Sequence, residues 1–191
     1  LGTPYICHIL TQYGYHALAT KLLLNEKYPS WLYPVKMGAT TIWERWDGMR
    51  PDSSFQTPGM NSFNHYAYGA IGDWLYRVVA GIDIDENAPG YRHITISPHP
   101  VKELGKVQAS LLTPLGKVSA VWQPEAGQVI FEVGIPANAT ATIQIPAEGM
   151  GKVKEGGKAL WEVFPAGSVE VREGRVFVRT GSGSYRFTIS N

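Results

Sequence analysis

The sequence predicts an α+β chain: a helical first part followed by an antiparallel β-sandwich. Two observations carry this. Apolar residues recur at helical spacing up to about residue 80 and at a period of two beyond about residue 91. The polar stretch Asp83 to Gly90, with its Pro and Gly, lies between the two patterns and divides residues 1–84 from residues 91–191. At 191 residues the chain has room for two small domains.

Thr3-Pro4 reads as a helix start, with Thr capping and Pro at the first helical position. Ile6, Ile9, Leu10, Tyr13, Ala17 and Leu24 then predict one helix to about Asn25. Its apolar face is broad and calls for neighbouring helices. Tyr28 to Pro34, with two prolines, reads as a loop packed by aromatics, and Met37 to Trp46 as a short helix or extended piece. A polar loop covers Arg50 to Gly59. A second helix is expected from Asn61 or Ser62 to about Ala80, closed by Gly81, with His65 in its first turn. From Ile94 onward, short alternating runs such as Val118-Ala120-Trp122 and Val129-Phe131-Val133-Ile135 are separated by turn residues, Glu173-Gly174 and Gly156-Gly157 among them.

Composition narrows the function. Hydrophobic residues make up 44% and aromatic residues 12%, with six Trp and ten Tyr. Net charge is +1, so the chain lacks the basic footprint of a nucleic-acid partner. No apolar run approaches a membrane span, and no signal peptide is visible. Cys7 is the only cysteine, which excludes an internal disulfide and a cysteine-based zinc site; it reads as a buried helix residue. The five histidines are dispersed, so neither a metal site nor a cofactor is expected. Because the sequence starts at Leu1, a few residues before an amphipathic helix, we expect a piece of a longer protein.

The chemistry concentrates in two stretches. Gly38 to Asp47 sets Glu44 between Trp43 and Trp46, and Met60 to Trp74 contains His65 among Asn61, Asn64 and tyrosines. Aromatic faces for C–H groups, with amide, imidazole and carboxylate for hydroxyls, suit a sugar pocket. A carboxylate beside indoles is a candidate general base, with its pKa raised by desolvation. The competing reading makes Glu44 an ion-pair partner of Arg45, Arg50 or Lys36. His65, Trp43, Trp46 and Asn64 are candidate sugar contacts, with Asn61, Asp47 and Asp52 as further hydroxyl partners; core packing is the alternative for each Trp.

The stretches Ala39-Thr40-Thr41-Ile42-Trp43-Glu44 and Asn61-Ser62-Phe63-Asn64-His65-Tyr66-Ala67-Tyr68-Gly69, continuing through Trp74-Leu75-Tyr76 to Gly81-Ile82, resemble the end of the catalytic domain of bacterial α-L-rhamnosidases. The resemblance implies the last helices of an (α/α)6 barrel followed by a β-sandwich. It also implies inverting hydrolysis of a rhamnose-containing glycoside, Glu44 as general base and His65 as a contact to rhamnose. The family's general acid belongs to an earlier carboxylate-rich motif that has no match here, so the chain is expected to carry half of an active site and to be inactive without the N-terminal part of its parent. Two alternatives stand beside this. One is another (α/α)6 glycosidase or phosphorylase. The other makes residues 91–191 a carbohydrate-binding module or a structural brace, and the inward phase of Trp122 favours the brace. The compartment is left open.

Overall fold

The computed structural model describes residues 2–190. Two compact units are distinguished by their internal packing, the first running to Trp74 and the second beginning at Leu75. The division by sequence pattern, 1–84 and 91–191, differs from this by residues 75–84.

The first unit is helical and irregular. A 3-10 turn, Thr3–Tyr5, leads into α1 (Ile6–Gln12), and α2 (His16–Leu23) follows. The single helix expected to Asn25 is therefore two. Gly14 takes φ +84°, and the carbonyls left open by α1 are closed by Tyr15 N–H to Leu10 O (2.7 Å) and Gly14 N–H to Thr11 O (3.0 Å). That bond pair is a Schellman motif, which needs a left-handed residue at the position Gly14 holds. The buried side also differs from the expected stripe. Cys7, Ala19, Thr20 and Leu23 are buried, whereas Ile9, Tyr13 and Leu18 are exposed at 51%, 71% and 51%. These helices are apolar on several sides, so a period alone does not say which side packs.

α3 (Leu32–Lys36) occupies what reads as a loop. Its Pro34 is tolerated because the first-turn N–H groups of a helix have no intrahelical acceptor. Ser30, fully buried, accepts a hydrogen bond from Tyr33 N–H (3.1 Å). The second expected helix starts later than Ser62: residues Tyr66–Ala70 form a 3-10 turn and α4 spans Ile71–Trp74. His65 lies ahead of that turn in an extended conformation (φ −137°, ψ 120°), outside the first turn where the pattern put it. Trp74, fully buried, donates from Nε1 to Thr11 Oγ1 (3.0 Å), and Asp73 pairs with His8 at 2.9 Å.

The second unit opens with a π-helical turn, Leu75–Val79, and then becomes β. Its strands are β1 (Ile82–Ile84), β2 (His93–Ile96), β3 (Val107–Thr113), β4 (Gly116–Glu125), β5 (Gln128–Ile135), β6 (Thr140–Pro146), β7 (Val153–Glu155), β8 (Lys158–Ala159), β9 (Val169–Arg172), β10 (Arg175–Thr180) and β11 (Gly183–Ser190). A short helix, α5 (Leu160–Val163), follows β8. One sheet has the order β1-β2-β6-β10-β9 and the other β3-β4-β5-β11-β7-β8. Alternation puts Ile94, Ile96, Ile143, Ile145, Val176 and Val178 of the first sheet inside, and Val118, Trp122, Phe131 and Phe187 of the second. Trp122 is fully buried, as its phase predicts, and donates to Val79 O (2.8 Å). Trp161 is 67% exposed. Glu173-Gly174 and Gly156-Gly157 both have positive φ at two successive residues, as a type I′ hairpin requires.

One pairing departs from the all-antiparallel expectation: β2 and β6 run parallel, His93 opposite Thr140 through Ile96 opposite Ile143. Such a pair needs a long crossover, supplied here by β3, β4 and β5 in the other sheet. Alternation of side chains is the same in both directions, so the sequence pattern does not record it. The His93 ring bridges Thr140 Oγ1 (Nδ1, 2.7 Å) and Thr142 Oγ1 (Nε2, 2.8 Å) across this pair. Nearby, Arg175 Nη1 donates to Ser97 Oγ (3.3 Å), Pro98 O (3.4 Å) and Gln144 O (3.2 Å), and its Nη2 lies 3.2 Å from His99 Nε2. Burial pulls this guanidinium's pKa down.

Gly81 is the position in this unit least able to accept a side chain. Its φ is +80°, and an added Cβ would lie 2.3 Å from Pro98 N and 2.5 Å from Ser97 C, backbone that Ser97 N–H ties back to Gly81 O (2.8 Å). Gly81→Ala should cost roughly 2–5 kcal/mol, combining a left-handed non-glycine residue with an overpacked contact. Urea unfolding followed by tryptophan fluorescence would measure this; a midpoint within error of wild type would show that the turn yields freely.

Cys7 gives a second prediction. Its side chain is 1% exposed, the thiol donates to Ala19 O at 3.9 Å, and burial pushes its pKa up to about 11. Iodoacetamide at pH 8 should modify it slowly in the native protein and at the free-thiol rate in 6 M guanidinium; equal rates would show that α1 opens readily.

Candidate active site

Glu44 and His65 are brought together by backbone pairing between two irregular segments. Glu44 N–H donates to Ser62 O (2.9 Å), and His65 N–H donates to Ile42 O (2.8 Å). Between these bonds, Ser62 N–H donates to Glu44 Oε2 (2.8 Å), and Thr41 Oγ1 donates to Phe63 O. The Glu44 carboxylate is thus fixed by a main-chain donor on the segment that carries His65. Glu44 is half-buried and His65 exposed. A carboxylate has about four lone-pair sites, so one amide bond leaves it able to accept a proton from water.

The three cations considered as ion-pair partners of Glu44 are engaged elsewhere. Arg45 makes a two-point pair with Asp47 (Nε–Oδ1 2.9 Å, Nη2–Oδ2 3.0 Å). Lys36 pairs with Glu26 at 2.7 Å. Arg50 donates to Ser54 Oγ (3.2 Å), Phe55 O (2.8 Å) and Gln56 Oε1 (2.8 Å).

The tryptophans sit differently from one another. Trp43 is 6% exposed and meets Phe63 edge-on, ring centroids 4.9 Å apart. Trp46 packs on Trp31 (4.6 Å) and Tyr68 (5.3 Å), and Trp31 Nε1 donates to Tyr68 O (3.1 Å). Both border a cavity of about 250 Å³, lined also by Trp31, Val35, Ile42 and Tyr68; neither Glu44 nor His65 is among its walls. Asn64 is tied locally, its N–H donating to Ser62 Oγ and its O accepting from the same hydroxyl, both at 3.2 Å. Asn61 donates from Nδ2 to Gly48 O (2.9 Å).

Asp47 serves the scaffold: besides Arg45 it accepts from Gln56 Nε2 (3.1 Å), linking the Trp46 segment to the 50–59 loop. Asp52 accepts from Ser54 N–H (3.0 Å) and Ser54 Oγ (2.6 Å), an Asx turn inside that loop. Sequence reasoning missed Ser62 as the residue that fixes Glu44, because its contribution is a main-chain N–H. It also missed the Arg45–Asp47 pair, although a basic and an acidic residue two apart in an irregular segment were a visible signal. Among the described residues no group of three or more His, Cys, Asp or Glu is arranged to hold a metal ion, and no helix is long and apolar enough to cross a membrane.

The half-buried carboxylate and the exposed imidazole lie on irregular segments of a helical unit that precedes a two-sheet β unit in sequence, the order of a six-hairpin glycosidase domain and its C-terminal β domain. Residues 1–79 match the bacterial alpha-L-rhamnosidase 6 hairpin glycosidase domain, and residues 81–160 match the bacterial alpha-L-rhamnosidase C-terminal domain. The chain belongs to the bacterial α-L-rhamnosidase family. It is 40% identical over 189 residues to an alpha-L-rhamnosidase of Streptomyces avermitilis, which covers 99% of this chain and 17% of that protein. It is 44% identical over 157 residues to one of Formosa agariphila, covering 81% and 16%. The crystal structure of the Streptomyces avermitilis alpha-L-rhamnosidase complexed with L-rhamnose superimposes with a TM-score of 0.88, over 100% of this chain and 18% of that one. The chain therefore spans about a sixth of the length of the curated relatives it matches.

The Arg45–Asp47 pair gives a pH prediction. Hydrogen bonding to Arg45 is the main cause that holds the Asp47 carboxyl below its ordinary 3.8, against the opposing effect of burial. A depressed folded-state pKa contributes stability that is complete above the unfolded value and is lost as pH falls through the folded one. Asp47→Asn should therefore lower the thermal midpoint at pH 6, with the gap to wild type closing below about pH 3.8; a gap independent of pH would assign the loss to packing.

Proposed function

We propose that this chain supplies the catalytic base and part of the sugar pocket of an α-L-rhamnosidase that inverts configuration. The observation that carries the proposal is the fixed carboxylate: Glu44 Oε2 held at 2.8 Å by Ser62 N–H, on the segment that presents His65. Glu44 takes a proton from water, and the water oxygen forms a bond to the anomeric carbon as the bond to the leaving oxygen breaks. A carboxylic acid on the opposite face protonates that oxygen. Inverting enzymes hold the two carboxyl groups roughly 6.5–9.5 Å apart to admit the water. That acid comes from elsewhere in the parent protein, so the 191-residue chain alone is inactive. His65 binds a rhamnose hydroxyl. Trp43, 6% exposed, and Trp46 support the site from the protein side, since the cavity they border has neither Glu44 nor His65 among its walls, and Asn64 contributes through the Ser62 turn. The substrate is a rhamnose-containing glycoside or oligosaccharide. No cofactor is required, since proton transfer and displacement by water complete the reaction.

The test is Glu44→Gln in the full-length protein. Glutamine keeps an acceptor for Ser62 N–H but cannot take the proton, so release of rhamnose from an aryl α-L-rhamnoside should fall by about 10²–10⁴-fold with an unchanged circular dichroism spectrum. Near-normal turnover would reject Glu44 as the base. Proton NMR of the first product formed should show the β anomer.

A further inference from the structure

The ladder that joins Glu44 to the His65 segment has one residue too many on its second side. Its rungs are Glu44 N–H to Ser62 O and His65 N–H to Ile42 O, and the two segments run in opposite directions. Regular antiparallel spacing would set Asn64, not His65, opposite Ile42. Between the rungs Trp43 stands alone on one side, with Phe63 and Asn64 on the other. Two residues facing one is the count of a β-bulge, which bends the longer side and re-aims the side chain beyond it. The residue beyond it here is His65, in extended conformation (φ −137°, ψ 120°).

A bulge leaves main-chain groups outside the ladder. Two hydroxyls take three of them. Thr41 Oγ1 donates to Phe63 O. Ser62 Oγ accepts from Asn64 N–H and donates to Asn64 O, both at 3.2 Å. Thr41, Ser62 and Asn64 are all exposed, so water can satisfy these groups when a hydroxyl is lost. What the hydroxyls add is therefore one fixed geometry more than a large gain in stability. Glu44 does not depend on that geometry, because the Ser62 N–H that holds its carboxylate lies before the extra residue. His65 does depend on it.

We propose that the hydroxyl of Thr41, seconded by that of Ser62, sets the bulge and thereby aims His65 at the sugar, which makes Thr41 a positioning residue for rhamnose. This inference rests on the reading of Glu44 as the base and His65 as the sugar contact. In the full-length protein, the Kd for L-rhamnose is measured by calorimetry and turnover with p-nitrophenyl α-L-rhamnoside. Thr41→Val keeps the branched shape and loses the donor. It should weaken rhamnose binding about fivefold, the scale of one net hydrogen bond. Its KM should rise while kcat holds within about twofold, the pattern of lost ground-state binding. Thr41→Ser should bind as wild type does, and Ser62→Ala should weaken binding in the same sense as Thr41→Val. In a His65→Ala background, Thr41→Val should have no further effect, since its route to the sugar is gone. A Thr41→Val loss that adds in full to the His65→Ala loss overturns the proposal, as does a Thr41→Ser variant as weak as Thr41→Val. Wild-type binding by Thr41→Val, with binding lost in His65→Ala, overturns the positioning role and leaves the functional reading standing. Wild-type binding by His65→Ala overturns both the sugar contact and the inference built on it.

Discussion

The short ladder between Ile42–Glu44 and Ser62–His65 is the constraint on which the candidate site depends. Neither segment is a helix or a strand of a sheet, so neither has a regular hydrogen-bond pattern to hold it. Two backbone bonds and the Glu44–Ser62 N–H contact supply that order. Polar side chains around it are committed to specific contacts, Arg45 on Asp47, Gln56 between Asp47 and Tyr28, and Asn61 on Gly48. Gly48 has no room for more, since an added Cβ would lie 2.7 Å from Asn61 Oδ1. Buried polar groups left without partners are costly, so a network of this kind fixes the position of the loop that contains it.

The second unit obtains its order by other means. Its interior is filled by alternating β-branched and aromatic residues, and two of its hairpin turns, Gly156-Gly157 and Glu173-Gly174, have a backbone that matches the strand twist. Its polar ties join residues far apart in sequence. Arg175 is the most involved of them, gathering Ser97, Pro98 and Gln144 onto one half-buried guanidinium beside β6.

The β half was readable because alternation and turn chemistry are local signals: Val118, Ala120 and Trp122 point inward, and Glu173-Gly174 turns, whatever lies around them. The direction of β2 against β6 was not readable, since it depends on where the chain goes between them. In the helical half, Gly14 stood in plain sight, but a glycine in an apolar helical pattern is equally compatible with a continuous helix and a cap; only the neighbouring carbonyl bonds decide. His65 was placed in a helix for the same reason. Glu44 and His65 were singled out as candidates through their motif. What holds Glu44 is a peptide N–H, which every residue but proline possesses, and so no residue type announced it.

The imidazole of His93 lies between two hydroxyls rather than between charged groups. Thr140 Oγ1 also reaches Arg92 O at 3.4 Å, which leaves its lone pairs facing Nδ1, while the Thr142 hydroxyl is able to rotate. A hydroxyl gives or receives a proton with equal ease. The seam between the two parallel strands is therefore stitched by both nitrogens of one ring, so that losing this single side chain would undo two cross-strand ties at once.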